Sequence, residues 1–195
     1  AITLNHAGRR GATQPTHAGG PDHPLREGAW PLVSASAIPY TARSQTPRAL
    51  TPDEMAAIRD DFVAAAQWAD ACGADLLLLH MAHGYLLASF LSPLTNQRAD
   101  DYGGSLERRM RYPLEVFAAV RAAWPASKPL GVALGCHDGA RGGLTLDDAV
   151  EIARALKAEG CDLIQPLAGQ TTPDAELPWG RAFLTPLAER IRVEV

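Results

Sequence analysis

Four short apolar runs, alternating with longer stretches of helical period, constrain this chain more than any other feature. Residues 75–80 (Asp-Leu-Leu-Leu-Leu-His) are nearly all leucine, as a parallel strand buried on both faces requires. Residues 129–134 and 161–164 are shorter runs of that kind, and 2–5 forms a fourth. Between them, 52–72 carries Met55, Ile58, Phe62, Ala65, Ala69 and Cys72 at spacings of three and four. Thr51 suits its N-cap, Pro52 its first turn, and Gly73 ends it. The period returns over 106–124 (Met110, Leu114, Phe117, Val120, Trp124, capped by Ser105) and over 146–159 (Ala149, Ala153, Leu156, from Thr145 to Gly160). A further helix begins near Phe183 and runs to Val195. Strands alternating with helices predict βαβ units on a parallel sheet.

Four strands with three and a half helices match half of an eight-stranded (β/α)8 barrel, about its strands 3 to 6, in one domain over 1–195. A small doubly wound sheet is the rival. It is weakened because Gly139-Ala140-Arg141-Gly142-Gly143 lacks the G-x-G-x-x-G spacing of a dinucleotide-binding turn. The first residue is not Met and enters a strand directly, so the chain is expected to be a fragment. Its 47% hydrophobic and 21% charged residues place it among ordinary globular chains. The net charge of −4 offers no footprint for nucleic acid, and no apolar run approaches the roughly 18 residues of a membrane span. Cys72, Cys136 and Cys161 have no metal-type spacing and read as reduced thiols. With no basic-then-apolar leader at the amino end, a cytoplasmic setting is expected.

Two segments break the rhythm. Residues 7–47 are rich in Gly, Pro, His and Arg and predict a structured lid or binding loop. Residues 81–104 join a strand to its helix by an irregular path, and such connections after the carboxyl ends of parallel strands are where α/β folds keep their chemistry. There, His80-Met81-Ala82-His83-Gly84-Tyr85 places two imidazoles and a phenol just past a strand end. Two histidines can donate to one ligand oxygen, and a phenol can deliver a proton. A metal is not expected, because no acidic third ligand lies near in sequence. The second candidate, from Leu91 to Glu107, reads as structural: Gly103 and Gly104 permit a sharp loop, Ser105 a cap, and Glu107 suits the helix dipole.

These motifs together resemble the old yellow enzyme family. The resemblance rests on His80-x-x-His83-Gly84-Tyr85-Leu86, then Phe90-Leu91-Ser92-Pro93-Leu94-Thr95-Asn96-x-Arg98, then Asp100-x-Tyr102-Gly103-Gly104-Ser105-x-Glu107, with His6-Ala7-Gly8-Arg9 at the amino end. It extends from about residue 4 to residue 174, and the bacterial branch with paired histidines is the more similar. Leu144-Thr145-x-Asp147-Asp148-Ala149 and Ala168-Gly169-Gln170-Thr171 resemble the reductase half of aromatic acyl-CoA monooxygenase/reductases. The resemblance implies an FMN-bearing barrel in which His80 and His83 polarise a carbonyl oxygen and Tyr85 protonates the α-carbon. It also marks Thr3, His80 and Ala133 as cofactor-contact positions. Here Thr3 stands where the family has Gln, Ala133 where it has Arg, Leu78 for Glu, Leu167 for Ser and Arg108 for Asn. The family's seventh and eighth strands, whose loops hold the flavin phosphate, are not among these residues.

The implied function is an FMN-dependent oxidoreductase of ene-reductase type. It would take hydride from NAD(P)H and act on an α,β-unsaturated carbonyl or an aromatic acyl-CoA substrate. Its partners are that small molecule and either a second copy or a fused monooxygenase domain. One rival is a degenerate barrel half without flavin. The other is a phosphate-binding aldolase or isomerase barrel, disfavoured because neither Lys128 nor Lys157 sits at a strand end. A half barrel is further expected to leave apolar faces of 106–124 and 146–159 exposed, and so to self-associate.

Overall fold

Thr51 and Thr145 open two helices by one device. Each hydroxyl accepts the N–H three residues on, and the acid there, Glu54 or Asp148, accepts the threonine's own N–H in return. The computed structural model describes residues 1–20, 23–25 and 27–195. In order it contains β1 (Ile2–Leu4), β2 (Val33–Ser34), β3 (Arg48–Ala49), α1 (Pro52–Ala71), β4 (Leu77–Met81), α2 (Leu86–Leu91), α3 (Leu106–Ala123), β5 (Leu130–Gly135), α4 (Leu146–Ala158), β6 (Leu163–Leu167) and α5 (Thr185–Glu194). The expected strands and helices are present, with β4 starting two residues later than its apolar run. The helix α2, inside the irregular connection, was not anticipated.

One sheet has the order β1-β4-β5-β6, parallel throughout. Pro166 is tolerated in β6 because that strand is an edge, where one row of N–H groups goes unused. The register sets Leu4, Leu79, Val132 and Ile164 in one row, with Thr3, Leu78, Gly131 and Leu163 in the next, on the opposite face. The first face lies under the helices: Leu77, Leu79, Met81, Leu130, Val132 and Leu134 are fully buried. There α1 packs on α3, α3 on α4, and α4 on α5. The opposite face is open, with Leu163 44% exposed.

This corrects the expectation about the helices. Their apolar stripes are buried (Val116, Phe117 and Val120 of α3; Ile152, Ala153 and Leu156 of α4), because sheet and neighbouring helices cover them. The uncovered surface belongs to the sheet.

The segment 7–47 holds 3-10 turns at Gly8–Arg10 and Thr16–Ala18 and the strand β2, which pairs in parallel with β3. Leu32, Ala35 and Tyr40 are buried in it. Arg98 fastens it from below, donating to the carbonyls of Ala35 (3.0 Å) and Leu50 (2.8 Å).

Candidate active site

β4 delivers His80 to the open face, in register with Ala133 on β5 and Gln165 on β6. The chain then reverses through His83 (φ +58°) and Gly84 (φ +68°), with the Tyr85 N–H bonded to the Ala82 carbonyl at 3.3 Å. Positive φ at both central residues is what a type I′ turn requires, and it explains His-Gly there. The turn feeds Tyr85 into α2, whose six residues are all buried. A six-residue helix buried on every side has no stripe to read, which is why periodicity missed it.

This turn brings the predicted trio together. The His80 and His83 ring centroids lie 5.3 Å apart, and the Tyr85 ring stands edge-on to His80 at 5.1 Å. His80 Nδ1 accepts the Ala82 N–H at 3.3 Å, so the proton of the neutral ring sits on Nε2, where it can be donated outward. Burial lowers the His80 pKa. Burial, then the charges of His80 and Arg10, bring that of His83 down to about 4. Both rings are therefore neutral donors at pH 7.

Arg10 was not anticipated. Its guanidinium donates to the carbonyls of His83 (3.0 Å) and Gln170 (3.1 Å), joining two residues held at positive φ. It stacks 4.1 Å from the Tyr40 centroid and lies 5.7 Å from that of Tyr85. Arg9, fully buried beside it, donates to the carbonyls of Ile38, Pro39 and Thr171. Its pKa is pushed down to about 10 by burial and by the neighbouring Arg10 charge. The sequence shows the adjacent Arg9 and Arg10 but not their burial in a 3-10 turn.

The second candidate segment is a clamp. Thr95 donates to the Ser89 carbonyl, and Asn96 to those of Phe90 and Tyr102. Arg109 caps the end of α2 through the Leu91 carbonyl at 2.8 Å. Gly103 is obligatory, since a Cβ there would lie 2.1 Å from the Arg98 carbonyl oxygen. Ser92 reaches a residue overlooked in the sequence, Asp138 in the loop after β5, at 2.6 Å.

For a flat ring against the open face, the row of His80, Ala133 and Gln165 offers an imidazole and an amide with the buried Ala133 methyl between them, and the Thr3 hydroxyl lies on the same face two residues back in register. That set fits a hydrogen-bonding ring such as flavin along one edge. It brings no cationic side chain to it, because Ala133 ends at Cβ. Among the described residues no group of three His, Cys, Asp or Glu side chains is arranged to hold a metal. The thiols are all free, and burial pushes Cys136 up to about 12.

Known proteins resemble this chain in sequence and in fold. The NADPH dehydrogenase of Halalkalibacterium halodurans is 38% identical over 194 residues, covering 100% of this chain and 52% of the relative. Among solved structures, 2-naphthoyl-CoA reductase in complex with 2-naphthoyl-CoA superposes with a TM-score of 0.75 at 29% identity, over 84% of this chain and 26% of that one. Morphinone reductase does so with a TM-score of 0.71 at 25% identity, over 98% and 53%. The chain thus spans about half the length of the curated relative and folds as part of a (β/α)8 barrel. Residues 1–177 match the NADH:flavin oxidoreductase / NADH oxidase family, the family of the old yellow enzymes, and the chain belongs to it.

Proposed function

We propose that this chain is the substrate-polarising half of an FMN-dependent, NAD(P)H-consuming oxidoreductase of ene-reductase type. Its substrate would be an α,β-unsaturated carbonyl or an aromatic acyl-CoA thioester. One observation carries the reading: two neutral imidazoles and a phenol meet at the carboxyl end of β4, the end where barrel chemistry collects. FMN, when bound and reduced, supplies the hydride. The relative named NADPH dehydrogenase supports NAD(P)H as its source, and the naphthoyl-CoA complex supports an acyl-CoA substrate.

The chain's own residues hold the carbonyl and move a proton. His80 and His83 donate to the carbonyl oxygen as it gains negative charge. Being neutral beforehand, they stabilise that charge without first losing a proton to it. Tyr85 protonates the α-carbon once the β-carbon is reduced. Arg10 holds the His83 turn in place, and Thr3, His80 and Ala133 line the cofactor edge.

The test joins this chain to the remaining barrel strands of a relative and follows the two half-reactions by stopped flow. Replacing His80 and His83 together with Ala is expected to slow flavin reoxidation by an enone at least about 10²-fold, since each lost donor costs about 2.7–4 kcal/mol. Flavin reduction is expected to be unchanged. Tyr85→Phe is expected to slow turnover less with substrates whose enolates water protonates readily. Unaltered reoxidation in the double variant would make the histidines structural and sink the proposal.

A further inference from the structure

Asp138 lies buried in the loop after β5 and spends its carboxylate on three neighbours. Oδ1 accepts the Thr171 hydroxyl at 2.5 Å. Oδ2 accepts the Ser92 hydroxyl at 2.6 Å and the Leu144 N–H at 2.7 Å. One carboxylate therefore ties together the end of α2, the entry to α4 and the loop after β6. Gly143 makes room for it, since a Cβ there would come within 2.7 Å of the Asp138 side chain.

Thr171 carries this grip toward the imidazoles. Its hydroxyl is held by Asp138 and its carbonyl by Arg9. Its backbone lies against the turn that presents His83: a Cβ on Gly84 would sit 3.1 Å from both Cα and the carbonyl oxygen of Thr171. Gln170, next to it, shares the Arg10 guanidinium with His83. This close approach limits how far the turn can shift toward Thr171 while Asp138 and Arg9 hold that residue.

We propose that Asp138 is a positioning residue for His83, acting through Thr171 to hold the His83–Gly84 turn in the conformation that presents the imidazole to substrate. The role assigned to His83 rests on the proposed function; the mechanical linkage does not. Removing the carboxylate exposes three donors at once, as buried partners left unsatisfied are costly. Asp138→Ala, which removes both oxygens, is therefore the severe variant. Thr171→Val is the mild one, nearly isosteric and deleting a single bond, and Thr171→Ser keeps the hydroxyl.

The readout is the titration of the histidine rings by NMR in the 195-residue chain, which needs neither flavin nor turnover. The charged and titratable groups facing His83 are His80, Arg10 and Tyr85. Loosening the turn lets water reach His83 and moves it away from Arg10, so its midpoint is expected to rise by about one pH unit toward the ordinary value in Thr171→Val. His6, also lowered by burial but with its ring bonded to the Gly8 N–H rather than to Asp138, Thr171 or the His83 turn, is the control and is expected to shift less than His83, while Thr171→Ser restores His83. If Thr171→Val lowers the melting temperature with His83 unmoved, or moves His6 and His83 equally, the linkage is merely structural and the proposal falls. A shift of His83 alone in a chain whose completed barrel reduces no enone would leave the positioning standing and overturn the proposed function instead.

Discussion

The two faces of one sheet follow opposite rules. Toward the helices, six side chains of β4 and β5 are fully buried, all of them Leu, Val or Met. Toward the open side the same strands present Leu78, His80, Gly131 and Ala133, and β6 leaves Leu163 and Gln165 in solvent. The difference separates what keeps this half barrel folded from what it offers to something else. Apolar burial on the helix side supplies the stability. On the open side His80, Ala133, Gly135 and Gln165 are small or polar toward the carboxyl end, where the proposed function puts a ring and a substrate.

The sharpest way to break this comparison is a matched pair of truncations. Leu79→Ala empties a fully buried site beneath the helices and is expected to cost about 2–5 kcal/mol of unfolding free energy in urea. Leu163→Ala, on the open face, is expected to cost about 0.5 kcal/mol or less. Equal costs would mean that the open face is packed in solution, by a second copy for instance. Leucines open to water on a sheet with two free edges favour that association in the isolated chain. Sedimentation of Leu163→Lys against the unaltered chain tests it, the variant being expected to associate less.

A second comparison shows that the open side is not simply loose. Gly84 and Gly104 both have positive φ, +68° and +88°. A side chain at Gly104 meets nothing within 4 Å, whereas one at Gly84 runs into the Thr171 backbone. Gly104→Ala is expected to cost about 1 kcal/mol for the backbone alone. Gly84→Ala is expected to cost about 2–3 kcal/mol, since backbone cannot step aside as a flexible side chain does. Equal melting temperatures for the two variants would show that the loops around His83 yield, and that the network from Arg9 to Asp138 does not restrain them.

The faces and loops also differ in how far the sequence discloses them. Apolar runs and helical periods are local signals, so β4, β5, α1, α3 and α4 are legible within a few residues. The trio of His80, His83 and Tyr85 is legible because it occupies six consecutive positions. What holds it is not, because the bonds are remote in sequence. Arg10 reaches across 73 residues to His83 and 160 to Gln170, and Asp138 across 46 to Ser92 and 33 to Thr171. Nothing around Asp138 distinguishes it from a solvated loop acid until the sheet order sets the loops after β4, β5 and β6 side by side. The exposed face escaped for another reason. A strand of consecutive leucines reads as buried on both sides, and only neighbouring strands decide whether the second side is covered.

The smallest effect concerns protons. His83 has its pKa lowered to about 4 in the folded chain by burial first, then by His80 and Arg10, while an unfolded histidine titrates near 6.5. Between those values the unfolded state binds the additional proton, so unfolding free energy falls as pH drops from about 6.5 to about 4 and levels off below. The stability at stake is fully present above 6.5. Because the ring is only half-buried, solvent screening reduces the full linkage to about 1 kcal/mol. His83→Gln is expected to flatten that part of the stability–pH curve measured by urea unfolding, leaving the shallower contributions of His80 and His6, which share its sign. On the helix side the same measurement with Leu79→Ala is expected to lower the whole curve without changing its slope, because no proton is bound there. A slope that survives His83→Gln intact would mean that the folded chain does not depress the His83 pKa, and that the burial of this ring and the nearness of Arg10 do not set its charge.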